Sequence, residues 1–111
     1  GLGDVYKRQA ALNVMTKSLA HVLGPEIRIN TVAPGPIQTR WLKGGMGDEA
    51  YAALIQQAED QLPLKEVATA EDVAETLVWF LEGAKLITGE ILIVDSGAHL
   101  GTLPDYSTSD D

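Results

Sequence analysis

Ile27-Arg28-Ile29-Asn30-Thr31-Val32-Ala33 runs straight into Pro34-Gly35-Pro36, and this junction decides the fold. The first seven residues are rich in β-branched side chains and predict a strand, which the Pro-Gly-Pro sequence ends in a rigid loop. Before it, Leu12, Met15, Leu19, Val22 and Leu23 recur at helical spacing between Ala10 and Leu23, and Gly24-Pro25 is a stop signal. Ala10, Ala11, Ser18 and Ala20 lie among them and let that helix approach a sheet or a second helix closely. A helix therefore feeds a strand.

Downstream, Gly44, Gly45 and Gly47 surround Arg40, Trp41 and Lys43, so residues 37–47 are expected to form a mobile loop. Tyr51, Leu54, Ile55, Ala58 and Leu62 predict an amphipathic helix that ends before Pro63. Thr69, with Asp72 three residues on, resembles a capping box opening a third helix; Val73, Leu77, Phe80 and Leu81 form its buried stripe and Gly83 ends it. Ile91-Leu92-Ile93-Val94, bounded by Gly89 and Ser96-Gly97, is the short apolar run of a strand buried on both faces of a parallel sheet. Residues 98–111 are an acidic tail expected to be disordered.

Helix, strand, loop, helix, helix, strand is an α/β order, with two strands and three main helices. A strand buried on both faces needs a neighbour on each side and helices above and below. The chain thus reads as the C-terminal part of a doubly wound parallel sheet, an incomplete domain.

Composition narrows the function classes. The 111 residues are 45% hydrophobic and 22% charged, as in a soluble globular chain of at most one domain. No apolar run approaches the roughly 18 residues of a membrane span and no secretory signal is seen, so a cytoplasmic location is expected. Without cysteine there is no disulfide, thiolate nucleophile or cysteine zinc site, and two histidines are too few for a histidine-rich metal cluster. The net charge of −8 argues against nucleic acid as a partner. Residues 1–43 hold six Lys/Arg against two Asp/Glu, and residues 44–111 hold two against fourteen. Solvated helix faces and an acidic tail account for this better than an acidic partner-binding surface.

Ala10-Ala11-Leu12-Asn13-Val14-Met15-Thr16-Lys17-Ser18-Leu19-Ala20, then Ile27 through Thr39 with Pro34-Gly35-Pro36-Ile37 at its centre, resembles the C-terminal half of the short-chain dehydrogenase/reductase family. Val73-Ala74 with Val78-Trp79-Phe80-Leu81, Ile87-Thr88-Gly89-Glu90 and Val94-Asp95-Ser96-Gly97 follow the family's last helix and last strand in order and spacing. The similarity runs from about Ala10 to Gly97. It implies a Rossmann-type sheet, NAD or NADP as cofactor, and hydride transfer between a carbonyl and an alcohol, a 3-oxoacyl thioester being the broadest guess at substrate. It also implies a homodimer or homotetramer built on the first helix, the Val73 helix and the last strand. The alternative is that these elements pack only within one chain. The family's Gly-rich phosphate loop and its serine strand would lie upstream of Gly1.

Family members carry Tyr and Lys four residues apart on the first helix, one face apart by a single turn, where the ammonium lowers the phenol pKa. The Lys directly precedes an Ala-Ala pair, here Ala10-Ala11, which puts Gln9 at the Lys position and Val5 at the Tyr position. Tyr6 is one residue out of register, and Lys17, eleven residues further, is about 16 Å away along a helix. No catalytic residue is therefore assigned. Asp4-Val5-Tyr6-Lys7-Arg8-Gln9 looks like a translated sequencing adapter, so residues 1–9 are expected to be foreign, in preference to a pseudoenzyme that has lost its pair.

By the same resemblance, Pro34 and Gly35 pack on the nicotinamide, the Ile37 backbone bonds its carboxamide, and Thr39 touches the carboxamide or the phosphates. An ordinary strand-ending turn is the alternative. Residues 38–62 correspond to a substrate-covering lid, as against a plain surface excursion, and Trp41 within it could equally be a packing residue. Asn30 is expected to tie strand to loop, and His21 and His99, with no acidic partner at motif spacing, to be surface or locally bonded residues. A small acidic protein that binds a partner through its helices is the competing function.

Overall fold

The computed structural model describes residues 2–38 and 40–101. Its elements in chain order are α1 (Leu2–Leu23), β1 (Thr31–Pro34), β2 (Ile37–Gln38), α2 (Arg40–Met46), α3 (Asp48–Gln61), β3 (Ala68–Thr69), α4 (Ala70–Glu82), β4 (Ile91–Val94) and a 3-10 turn, Ala98–Leu100. β1 pairs with β4 in parallel, Thr31 opposite Ile91 through Pro34 opposite Val94, and β2 pairs with β3 in parallel. The class is α/β with parallel strands, as expected, but with four helices and four short strands among the described residues.

Several boundaries differ from the sequence expectation. α1 starts at Leu2 instead of Ala10, since residues 4–9 contain no helix breaker and carry Lys, Arg and Gln, good helix formers. The strand expected from Ile27 begins only at Thr31, because Ile27–Asn30 spend their hydrogen bonds elsewhere. Ile27 N–H donates to Leu23 O, Ile29 N–H to the Thr88 hydroxyl, and Ile29 O accepts from Gly89 N–H. Asn30 does tie strand to loop: its Nδ2 donates to Ile87 O and its Oδ1 accepts from Glu90 N–H. Pro34 lies inside β1, where its missing N–H interrupts nothing.

The expected loop at 37–47 is instead β2 followed by α2, a helix that tolerates Gly44 and Gly45. α3 and α4 match their patterns. Thr69 caps α4 through a complete capping box with Asp72, whose carboxyl is held below its ordinary value by the Thr69 main-chain and side-chain hydrogen bonds. Arg28 closes the other end of α4, its guanidinium donating to Phe80 O and Ala84 O.

Burial is sparse. Among the described residues the buried apolar ones are Ala20, Leu62, Val67 and Phe80. β4 is not buried on both faces, for Ile93 is 45% exposed, and of the α4 stripe Leu81 is 79% exposed. The α1 stripe of Leu12, Met15, Leu19 and Val22 is also exposed. What packs on the sheet is the small, polar face: buried Thr16 donates to Leu12 O and shares a 2.6 Å hydrogen bond with Thr31, while Ala20 abuts Gly89. Single-neighbour strands leave their outer sides uncovered, and the apolar stripes face outward for the same reason.

Candidate cofactor edge

The carboxyl ends of β1 and β4 meet at one edge. Gly35 N–H donates to Val94 O at 3.0 Å, extending the ladder one step past Pro34. At that point the backbones come so close that a Cβ on Gly35 would stand 2.5 Å from Asp95 Cβ and 3.1 Å from Asp95 Cα. Only glycine fits there. Pro34 and Pro36 flank it, both exposed and both lacking an N–H, and just past Pro36 the chain enters the β2–β3 ladder at Ile37.

Asp95 supports this edge from below. It is 8% exposed, and its carboxylate accepts the N–H of Gly97, the N–H of His99 and the Nδ1–H of His99, the ring nitrogen lying 2.9 and 3.0 Å from the two oxygens. Burial alone would push the carboxyl up. The hydrogen bonds from the His99 ring and main chain and from Gly97, with attraction to the His99 charge, outweigh it and hold Asp95 below the ordinary 3.8.

The 39–66 excursion is fastened beside the same edge. Gln38 Nε2 donates to Val67 O, the β2–β3 ladder closes the neck, and Leu64 N–H donates to Ser96 O. Gly97, at φ +90°, leaves room for Pro63, whose ring carbons would meet any Cβ there at 2.8 Å.

α1 runs antiparallel to the strands. Thr16 lies opposite Thr31 at the start of β1, and Ala20 lies against Gly89, before β4. Seven helical residues back from Thr16 span about 10 Å, and three strand steps on from Thr31 also span about 10 Å. Gln9 therefore stands at the level of Pro34, the carboxyl edge. Its side-chain amide donates to Asn13, Tyr6 is 72% exposed, and the residue four after Tyr6 is Ala10.

Of the residues singled out from the sequence, Pro34, Gly35 and Ile37 are brought together on this edge, Val5 and Gln9 lie on α1, and Thr39 falls outside the described residues, as do the side chain of Trp41 and residues 102–111. His99 is half-exposed and locally bonded, as expected, but not without an acidic partner: Asp95 is four residues before it, across a tight Ser96-Gly97 turn. That spacing was the available signal, concealed because the pair is made by a turn and not by a helix. His21 is exposed. Among the described residues no group of His, Asp and Glu is placed to hold a metal ion, and no helix is long and apolar enough to cross a membrane.

Comparison with known proteins agrees with this architecture. The family model described as Enoyl-(Acyl carrier protein) reductase matches residues 5–99. The chain is 40% identical over 92 residues to the short-chain dehydrogenase/reductase homolog YusR of Bacillus subtilis, covering 83% of this chain and 66% of that one. It is 38% identical over 94 residues to the enoyl-[acyl-carrier-protein] reductase [NADH] FabI of Bacillus cereus, covering 83% of this chain and 36% of that one. A crystal structure of a small-chain dehydrogenase in complex with NADPH superposes with a TM-score of 0.71 at 35% identity, over 83% of this chain and 41% of that one. The chain belongs to the short-chain dehydrogenase/reductase family of oxidoreductases. It spans less than two thirds of the length of these relatives.

Proposed function

We propose that these residues form the nicotinamide end and the substrate lid of an NAD(P)-dependent oxidoreductase that interconverts a carbonyl and an alcohol. The observation that carries this is the family match over residues 5–99, which takes in the Pro34–Ile37 edge and the excursion fastened beside it. NAD or NADP, when bound, supplies or accepts the hydride. Pro34 and Gly35 would pack on its ring, the Ile37 N–H would donate to its carboxamide oxygen, and the Thr39 hydroxyl would reach the carboxamide or the phosphates. Residues 38–62 would close over the substrate and exclude water. The enoyl reductase among the relatives is named for an acyl-carrier substrate, which supports an acyl thioester here, and a 3-oxoacyl thioester is the form that accepts hydride at a carbonyl.

The 111 residues alone would be inactive, with Val5 and Gln9 at the positions of the proton-transferring Tyr and its Lys; residues 1–9 would be foreign, although the family match reaches back to residue 5. The parent protein would be a cytoplasmic homodimer or homotetramer. The outward apolar side chains of α1 and α4, with Ile93 of β4, support such contacts. Sequencing the source locus upstream of Ala10 tests the assignment: Tyr-x-x-x-Lys codons ending just before Ala10 are expected, and uninterrupted genomic codons for Asp4 through Gln9 would contradict it. The full-length gene product should then consume NADH or NADPH with a 3-oxoacyl thioester.

A further inference from the structure

We infer that the Asp95–His99 pair is a positioning device for the cofactor edge, with His99 holding Asp95 in the one place that lets Gly35 and Ile37 present themselves to the dinucleotide. This rests on the functional proposal above. Three observations carry it. The first is contact: a Cβ on Gly35 would collide with Asp95, so the turn lies directly on the Asp95 backbone and side chain, and any shift of residue 95 moves the turn. The second is that Gly35 N–H is bonded to Val94 O, one residue before Asp95, so strand end and turn move together. The third is that Asp95 is buried and its three hydrogen bonds come from residues 97–99, two of them from His99 itself. A bifurcated ring N–H at 2.9 and 3.0 Å fixes the carboxylate plane in a way that the main-chain donors alone do not.

Among the described residues, Glu66 and Asp72 line a pocket with Val94 and Ser96, and Lys65 follows Leu64, whose N–H is bonded to Ser96 O. Lys65 Nζ is engaged with Asp60 O, and the charge that bears on the Asp95 carboxylate is that of His99. The imidazole is 46% exposed, so it is a side chain that packing does not hold, and its bond to Asp95 orients it. Truncating it should loosen the edge without excavating a core.

The role predicted for His99 is to position the cofactor edge through Asp95, not to take part in chemistry. In the full-length protein, His99→Ala should weaken binding of the reduced dinucleotide about three- to tenfold, the loss of one partly exposed charge-assisted hydrogen bond, with kcat unchanged at saturating cofactor. His99→Asn, whose side-chain amide can take the place of the Nδ1–H, should recover most of that affinity. Amide hydrogen exchange of the 33–38 segment should rise in His99→Ala and return in His99→Asn. A merely structural histidine would lower thermal stability in both variants and leave dinucleotide affinity and 33–38 exchange where they were. Should His99→Ala fail to fold, the affinity and exchange of His99→Asn, expected close to wild type, decide the question against His99→Leu. Wild-type-like affinity in a folded His99→Ala or His99→Leu protein would overturn the inference alone. No dinucleotide binding by the wild-type full-length protein would overturn the functional proposal and the inference with it.

Discussion

Gly35 shows how one side chain's absence can shape an edge. Adding a methyl group there forces the turn away from Asp95 Cα, a backbone atom that cannot rotate aside. Gly35→Ala should therefore destabilise the folded protein by about 1–3 kcal/mol, the usual cost of overpacking, read from the denaturant midpoint. Asp95 has a pH signature. Its carboxyl is held below 3.8 in the fold, so its stabilising contribution is complete above that unfolded value and disappears as pH falls through the lower folded one. Thermal melts of the full-length wild-type protein should exceed those of full-length Asp95→Asn at neutral pH and converge with them well below pH 3.8; a constant gap across that range would show that the carboxylate charge contributes nothing. Pro34, Gly35 and Ile37 were legible in the sequence because a Pro-Gly-Pro run has few backbone options. Asp95 and His99 were not legible as a pair, since their contact depends on a left-handed Gly97 and on Pro63 arriving from a distant loop.

Among the elements, the helix and strand types were legible where period and caps agree. The Thr69–Asp72 capping box announced α4 to the residue, and Thr69→Ala should cost about 1 kcal/mol, seen as a lower melting temperature. α2 was missed because two glycines and a tryptophan suggested a loop, while the neighbouring β2–β3 ladder and the Gln38–Val67 bond constrain both ends of the excursion. Those glycines are the weak point of the proposed lid. Both have open space where a Cβ would go, so Gly44→Ala and Gly45→Ala should each stabilise α2 by about 0.5–1 kcal/mol. In the full-length enzyme the double variant should lower turnover more than it lowers dinucleotide affinity, because lid opening, not the cofactor edge, is stiffened. Unchanged turnover would place the excursion outside the reaction cycle. On α1 the small residues expected to let the helix approach a sheet include Ala20, which lies against Gly89, with Thr16 bonded to Thr31, while the periodic apolar residues stay exposed.

Taken together, the 111 residues expose far more surface than a finished domain of their size. The accessible area is 8690 Å², whereas a compact monomer of this mass shows about 6,000 Å². Large apolar side chains are exposed on the chain, from Leu12, Met15 and Val22 on α1 to Trp79 and Leu81 on α4. The isolated chain should therefore aggregate or form a molten state, and a sharp cooperative thermal transition from it would be incompatible with that expectation. The central claim, that the Pro34–Ile37 edge receives a nicotinamide dinucleotide, is tested most directly by titrating reduced cofactor into the full-length protein by fluorescence, in wild type and in Ile37→Pro. Deleting the Ile37 N–H should weaken binding by about 1–3 kcal/mol, roughly ten- to a hundredfold. Equal affinity for the two, in proteins shown to be folded, would contradict the claim.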